Sequence, residues 1–222
     1  MVVLITGASG GLGTAVVKAF LDSGASSVIG VDRSWRKHPT EDGRFQAIAA
    51  DLLNPAECKQ LAERVKPVDA LIHVVGGFAG GKPIVETDDD EWRKMMDLNL
   101  HTAIFMVRAI LPQMLEHNRG RIVTIGSRAG VEPMANYGAY SVSKAAIISL
   151  IKTLALEIKE TGVTANVVLP SVIDTPANRA AMPDADYSKW VTAESIAHLL
   201  VWLASGKAAD VNGAVIPMYG KS

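Results

Sequence analysis

A tyrosine and a lysine stand four residues apart in the stretch "YGAYSVSK", residues 137–144. Residues i and i+4 are neighbours on one face of a helix, so Tyr140 is within reach of Lys144. Tyr137 lies seven residues from Lys144, about 10.5 Å along a helix axis, which is too far for contact. Because a nearby ammonium stabilises phenolate, we expect Lys144 to lower the pKa of Tyr140 from about 10 toward physiological pH. Such a phenol is suited to general acid–base catalysis, although the same pair also occurs on helix faces by chance.

Two other polar residues stand where chemistry is expected. Ser127 directly follows the apolar run 121–126, at the carboxyl edge of a strand, where open α/β sheets bind ligands. Its hydroxyl would stabilise charge on a substrate oxygen, or it is an ordinary loop serine. Asn99 lies in the otherwise apolar helical stretch 95–111 and needs a hydrogen-bond partner. It either orders a water near Lys144 or is a satisfied buried amide at a helix kink.

Alternating short and long apolar segments indicate the fold that would position these side chains. Short β-branched runs predict strands at 2–6, 27–32, 44–50, 69–75, 121–126, 163–169 and 214–218. Helical patterns lie between them, near 11–23, 55–65, 89–117, 138–160 and 192–204. This alternation predicts one Rossmann-type α/β domain over residues 1–222. Its sheet would be doubly wound and mostly parallel, with about seven strands and helices on both faces.

Two of the predicted helices are apolar around most of their circumference. Between Ala145 and Ile151 almost every residue is apolar, and 95–111 is similar. Such helices are usually buried. Either both pack against the sheet and its neighbouring helices, or they also contact a partner subunit.

The first strand runs into a glycine-rich turn, "TGASGGLG", and then into an amphipathic helix. Glycines let a backbone approach a pyrophosphate, and the following helix directs its N-terminus at the negative charge. Because the triplet sits in a strand–turn–helix context, it indicates a dinucleotide site. The residues that would form it are Gly7, Ser9, Gly10, Gly11, Leu12 and Gly13.

Two aspartates follow later strands. Asp32 ends the second strand, 19 residues after Gly13, where a carboxylate accepts from the ribose hydroxyls of NAD. This favours NAD(H), with NADP(H) as the alternative, because Arg33 and other basic residues that follow would partly offset the repulsion of a 2′-phosphate. Asp51 would accept from adenine beside Leu52, or it would cap the next helix. Asn54 is the better cap, because a proline comes next.

Composition narrows the function classes. The chain has 222 residues, a formal net charge of -1, 49% hydrophobic residues and 20% charged residues. The absence of a basic stripe argues against nucleic acid as a partner. The apolar run 145–158 is interrupted by a lysine and is too short to span a bilayer, so we expect no membrane segment. The single cysteine, Cys58, excludes internal disulfides and fits a cytoplasmic location.

The glycine turn "TGASGGLG", Asn99, Ser127 and "YSVSK" together resemble the short-chain dehydrogenase/reductase family, over essentially the whole chain. Ser127 stands thirteen residues before Tyr140, as in that family. The resemblance implies a catalytic tetrad, an NAD(P)-dependent oxidoreductase activity and a homodimer or homotetramer formed through the two long apolar helices. The implied tetrad is Asn99, Ser127, Tyr140 and Lys144.

The resemblance also implies roles for each of these residues. Tyr140 would exchange the substrate proton, Lys144 would also bind the nicotinamide ribose, and Asn99 would support a proton relay. The wall after the fourth strand would approach the cofactor at Val75, Gly76 and Gly77. On the other side, Pro170 to Ile173 would meet the nicotinamide amide and Thr175 the diphosphate.

The chain departs from the family pattern after the fourth strand, where "HVVGG" replaces Asn-Asn-Ala-Gly. We interpret His73 as a structural substitute, not a metal ligand, because no clustered partner is visible. We expect no metal.

The segment 170–191 is expected to be the substrate lid. Together with "VVGGFAGG", residues 74–81, it resembles the dihydropteridine reductases, which reduce a quinonoid dihydropterin with NADH. Phe78, Met182, Tyr187 and Trp190 would form a wall for a flat ring, or they simply pack within the lid. Those reductases lack the tetrad serine, so Ser127 favours a small carbonyl or alcohol substrate. Pterin reduction and a non-catalytic nucleotide-binding regulator are the alternatives.

Overall fold

Seven parallel strands form one sheet in the order β3-β2-β1-β4-β5-β6-β9, in a computed structural model that describes residues 1–221. These strands are β1 Val2–Thr6, β2 Ser27–Asp32, β3 Phe45–Ala49, β4 Ala70–His73, β5 Gly120–Ile125, β6 Val163–Pro170 and β9 Val215–Met218. Two short strands, β7 Ile173–Asp174 and β8 Val191–Thr192, pair separately. The predicted doubly wound sheet is confirmed, and its strand order reverses direction between β1 and β4.

Helices cover both faces of the sheet. They are α1 Gly11–Asp22, α2 Pro55–Val65, α3 Asp89–Met96, α4 Thr102–Glu116, α5 Gly138–Glu157, α6 Pro176–Ala181 and α7 Ala193–Ala204. Buried residues of α1 and α7 share one core cluster, and those of α2, α4 and α5 share the other. The central strands are covered on both sides, which explains why they read as continuous apolar runs.

The helix predicted over 89–117 is interrupted. A π-helical turn, Asp97–His101, separates α3 from α4 and contains Asn99. Such turns insert an extra residue into the hydrogen-bond ladder and are frequent at functional sites. One of the two alternatives for Asn99 is a buried amide at a helix kink, and the structure has a π-helical turn at this position.

Two helical segments are long and apolar enough to cross a bilayer by length and composition, Asp89–Glu116 and Gly138–Glu157. In the fold, both pack into the core. Met106 and Ile110 of the first segment and Ile147 and Ile151 of the second are almost completely buried. Core packing therefore accounts for the buried part of each segment, which is half or less of its apolar window.

Candidate functional site

The glycine-rich turn joins β1 to α1 at the carboxyl edge of the sheet. Gly7 has a φ of +69°, a left-handed conformation that favours glycine. A Cβ on Gly13 would lie 2.1 Å from the Gly7 carbonyl oxygen, so only glycine permits this close approach of helix and turn. The N-cap, Gly10, provides no side-chain hydrogen bond to the first turn of α1. The first-turn amides of this helix are therefore suited to bind an anion.

A cleft of about 450 Å³ opens above this turn. Of the eighteen residues predicted to contact the cofactor, twelve line it: Gly7, Ser9, Gly10, Gly11, Leu12, Gly13, Asp32, Arg33, Asp51, Leu52, Val75 and Gly76. The sequence prediction missed five more: Ala50, Leu53, Val74, Leu98 and Thr102. A larger depression of about 740 Å³ lies between α2 and α4. The smaller cleft is the one that could hold a dinucleotide, because it combines the glycine turn, a helix N-terminus and carboxylates at strand ends.

Asp32 is held rigidly at the rim of this cleft. Its Oδ2 accepts hydrogen bonds from the Ser9 amide at 3.1 Å and the Ser9 hydroxyl at 2.7 Å. Its Oδ1 accepts from the Arg33 amide at 2.8 Å. The carboxylate therefore stands at a fixed position beside the glycine turn, where a ribose hydroxyl would bind.

The sequence left open whether Asp51 caps α2 or borders the cofactor cleft, and the structure separates these roles between Asp51 and Asn54. The Asn54 side chain accepts from the Ala56 amide at 3.0 Å and caps α2, as predicted. Asp51 does not cap that helix. Its Oδ1 accepts from the Leu53 amide at 3.0 Å, and the residue borders the cleft.

The four proposed catalytic residues converge at the same edge of the sheet. Ser127 follows β5, and Tyr140 and Lys144 lie on one face of α5. A Cβ on Gly76 would lie 2.8 Å from Asn99 Oδ1 and 3.2 Å from Lys144 Nζ. Both groups therefore close in on this glycine at the wall of the cleft.

The electrostatics of the tyrosine–lysine pair differ from the expectation. Burial raises the pKa of Tyr140, and only a hydrogen bond with the Ser127 side chain acts to lower it. Burial also lowers the pKa of Lys144 to about 8, and its Nζ donates to the Ile125 carbonyl at 3.0 Å. The prediction that Lys144 lowers the pKa of this phenol is wrong for this structure, because desolvation raises that pKa and the hydrogen bond with Ser127 is what opposes it. A phenol that stays protonated at neutral pH is suited to donate a proton.

Asn99 is a satisfied buried amide. Its Nδ2 donates to the Gly77 carbonyl at 3.0 Å and to Ser143 Oγ at 3.0 Å, while its Oδ1 accepts from the Gly77 amide at 2.9 Å. Ser143 Oγ in turn donates to the Tyr140 carbonyl at 2.7 Å. Gly77 thus holds Asn99 and does not line the cleft. The sequence prediction missed Ser143, although it stands inside the "YSVSK" stretch.

His73 joins three elements through a directed chain of hydrogen bonds. The Thr102 hydroxyl donates to the Leu98 carbonyl at 2.8 Å, so it accepts from His73 Nε2 at 3.2 Å. His73 Nδ1 is then the acceptor of the Thr6 hydroxyl at 2.9 Å, which itself accepts from the Val74 amide at 3.2 Å. Burial, followed by the charge of a nearby lysine, lowers the pKa of His73 to about 3, so the ring is neutral. The interpretation of His73 as a structural substitute is confirmed.

The predicted substrate residues fall into two groups. Phe78 lies beside Tyr140, with ring centroids 5.0 Å apart. Tyr187 packs instead against Trp190, at 4.7 Å between centroids, and its hydroxyl donates to the Pro183 carbonyl at 2.9 Å. For Tyr187 and Trp190 the structure shows packing within the lid. Met182 follows α6, with its side chain partly exposed.

Three residues on the lid side were predicted to contact the cofactor, but they do not line the cleft: Pro170, Ile173 and Thr175. Pro170 ends β6, and Ile173 pairs with Val191 in the small sheet. The Thr175 hydroxyl accepts from the Asn178 amide at 3.2 Å and so caps α6. A Cβ on Gly11 would lie 3.0 Å from Thr175 Cβ, so this threonine does border the glycine turn.

Comparison with known proteins gives consistent matches. The short chain dehydrogenase family matches residues 1–186. The uncharacterized oxidoreductase YvrD of Bacillus subtilis (strain 168) is 34% identical over 253 residues, which cover 98% of this chain and 94% of YvrD. A short-chain type dehydrogenase/reductase from Mycobacterium ulcerans has a TM-score of 0.91 at 26% identity, covering 99% of this chain and 88% of the other. ElxO with NADP bound has a TM-score of 0.91 and 22% identity, covering 99% and 97%, and shows likeness of fold alone.

Proposed function

Because the chain belongs to the short-chain dehydrogenase family, we propose that it transfers a hydride between NAD(P)(H) and a small carbonyl or alcohol, with Tyr140 as general acid and base. The observation that carries this proposal is the Tyr140 hydroxyl, which is hydrogen-bonded to Ser127 and lies on the face of α5 that also carries Lys144. Ser127, Tyr140 and Lys144 lie at the carboxyl edge of the sheet. The cleft beside them has a glycine turn and a helix N-terminus that fit a dinucleotide.

The bound nicotinamide supplies the hydride in reduction and accepts it in oxidation. Tyr140 donates its proton to the carbonyl oxygen, and burial keeps that proton on the phenol at neutral pH. Ser127 donates a hydrogen bond to the same oxygen as charge develops on it. Lys144 places a positive charge near the site, because pH 7 is below the pKa of its ammonium group, which is about 8. Asn99 holds the wall that contains Gly77 against α5.

Within this function we propose NAD(H) in preference to NADP(H). The fixed carboxylate of Asp32 supports this choice, because it would accept from a ribose hydroxyl and repel a 2′-phosphate. ElxO, which shares only the fold, has NADP bound.

A quinonoid dihydropterin is the second candidate substrate. The exposed ring of Phe78 beside Tyr140 favours a flat substrate in general and is compatible with a pterin. The intact Ser127 favours a carbonyl oxygen, since an imine needs less stabilisation of developing negative charge.

We further propose a homodimer or homotetramer formed through α4 and α5, where Leu156 is strongly exposed at the end of α5. Light scattering coupled to size exclusion would measure the mass, and a monomer at micromolar concentration contradicts the proposal.

A cytoplasmic location rests on the single cysteine alone. Cys58 is buried, and burial raises the pKa of its thiol to about 11.

The test is a screen of NADH oxidation with small ketones and with a quinonoid dihydropterin, followed by Tyr140→Phe on whichever substrate reacts. We expect Tyr140→Phe to lower kcat by about 10²- to 10⁴-fold, the range for a lost general acid, with the Kd for NADH nearly unchanged. Tyr219→Phe is the control, because it removes the hydroxyl of another tyrosine, whose ring packs against Arg128. Full turnover in Tyr140→Phe refutes the assignment of the acid.

A further inference from the structure

An exposed aromatic ring borders the proposed acid. The Phe78 ring packs edge-on against Tyr140, at 5.0 Å and 76°, and lies tilted against Tyr137 at 5.5 Å. Phe78 nevertheless keeps 63% of its surface exposed. The Phe78 ring therefore has Tyr137 and Tyr140 as neighbours, while the rest of its apolar surface, beside Tyr140, is open to a ligand.

This aromatic surface, formed by Phe78 and Tyr137, is held in place by its backbone. The Gly81 amide donates to the Asn136 carbonyl at 2.7 Å, which ties the loop after β4 to the start of α5. A Cβ on Gly80 would lie 2.3 Å from Tyr137 Cδ1, so the tyrosine ring rests directly on this glycine. A wall that is fixed before binding loses little conformational entropy when a ligand arrives.

Apart from the buried Lys144, whose Nζ donates to the Ile125 carbonyl, cationic side chains on the segments that carry Phe78, Ser127 and the lid are paired with carboxylates. Each of three cationic side chains forms an ion pair, at 3.4 Å, 2.7 Å and 2.6 Å respectively: Lys82 with Asp88, Arg128 with Glu132, and Arg179 with Asp174. A substrate with its own phosphate or carboxylate would have to compete with these partners. The charge pattern therefore favours an uncharged substrate.

From these observations, and resting on the proposed oxidoreductase function, we propose that Phe78 and Tyr137 select an uncharged ketone with an aromatic ring next to its carbonyl. The ring packs against the exposed face of Phe78, which brings the carbonyl oxygen to the Tyr140 hydroxyl. In reduction, the carbonyl carbon gains the hydride from the reduced nicotinamide and the oxygen gains the Tyr140 proton. The products are a secondary alcohol, the oxidised cofactor and the Tyr140 phenolate, which takes a proton back from solvent.

The experiment compares acetophenone with cyclohexyl methyl ketone, which has a saturated ring of the same size. Their intrinsic reactivities differ, so the measured quantity is the ratio of their kcat/KM values in each variant relative to the wild type. Loss of an aromatic contact is expected to lower this ratio about fivefold to tenfold in Phe78→Leu, and in the same direction in Tyr137→Leu. Trp202→Leu, which removes a partly exposed aromatic residue of α7, leaves the ratio unchanged.

A second measurement does not depend on turnover. Binding of acetophenone to Tyr140→Phe in the presence of NADH, measured by calorimetry, weakens by a similar factor when Phe78→Leu is added. Melting curves show whether each variant is folded, and we expect Phe78→Leu to fold because most of the ring is exposed.

Several outcomes decide the matter. An active enzyme whose ratio is unchanged in both Phe78→Leu and Tyr137→Leu overturns the aromatic selection and leaves the oxidoreductase function standing. A higher kcat/KM for 4-acetylbenzoate than for acetophenone overturns the preference for an uncharged substrate. No turnover of any ketone with either NADH or NADPH overturns the proposed function, and this inference with it.

Discussion

The substitution Asp32→Asn tests the cofactor preference by removing one charge while keeping the shape of the side chain. The amide oxygen of asparagine still accepts from the Ser9 amide and hydroxyl, which now bind Asp32 Oδ2 at 3.1 Å and 2.7 Å. The local structure is therefore expected to persist. What changes is the field that a 2′-phosphate would meet at the rim of the cleft.

The size of the effect follows from Coulomb's law. Two unit charges about 4 Å apart at an effective dielectric of about 20 repel by about 4 kcal/mol. Asp32 is only partly buried, and physiological salt has a Debye length of about 8 Å, so about half of this repulsion should survive. A remaining energy of about 2 kcal/mol corresponds to a roughly thirtyfold change in affinity.

The assay is fluorescence titration of NADH and NADPH, which needs no substrate. We expect Asp32→Asn to tighten NADPH binding about thirtyfold and to weaken NADH binding, since the ribose loses a charged acceptor. The wild-type preference for NADH should also shrink as salt is raised.

Asp51→Asn is the matched control, because this second carboxylate also lines the cleft. It should affect both cofactors equally, since adenine is common to them. Tighter binding of NADPH than NADH by the wild type would refute the reasoning. An unchanged NADH/NADPH ratio in Asp32→Asn would do the same.

Three further predictions concern the interior of the site. Urea unfolding should show wild-type stability rising by about 3 kcal/mol from pH 8 to pH 10.5 through Lys144, because the unfolded chain still holds a proton that the folded chain has released; Lys144→Met removes this rise and the exposed Lys152→Met keeps it. Ser143→Ala should cost about 1–2 kcal/mol of stability and lower kcat more than it raises KM, because Asn99 Nδ2 and the Tyr140 carbonyl each lose a hydrogen bond; a variant with the kinetics of the wild type would contradict this. His73→Leu should destabilise the protein by about 2 kcal/mol at pH 8, and this loss should shrink by about 2 kcal/mol at pH 5, because the unfolded imidazole, with its ordinary pKa of about 6.5, gains a proton there that the folded ring, with its pKa of about 3, does not; an equal loss at both pH values would contradict this.

The strands and the glycine turn could be predicted because their signals are local. Each strand of the main sheet is a short apolar run, and the turn "TGASGGLG" lies between β1 and α1 as its spacing requires. The cap at Asn54 was likewise readable, since a proline follows it. These features depend on a few neighbouring residues and not on the packing of distant ones.

The π-helical turn and the pKa of Tyr140 were not predictable in the same way. Asn99 marks an irregularity in the apolar stretch 95–111, but the sequence does not distinguish a π-helical turn from an ordinary kink. The pKa of the phenol depends on how far α5 is buried against β5 and the loop after β4, which is a property of the tertiary structure. Spacing alone identified the neighbours of Tyr140, but not the balance between charge and desolvation.

That balance changes the role of the tyrosine–lysine pair. If Lys144 mainly acidified the phenol, Tyr140 would lose its proton near neutral pH and would be suited to accept one from an alcohol. Burial instead keeps the proton on Tyr140 and weakens the charge of Lys144, whose pKa falls to about 8. A protonated phenol hydrogen-bonded to Ser127 is prepared to donate. A general acid in this state is what proton donation to a carbonyl oxygen requires, as in the proposed reduction.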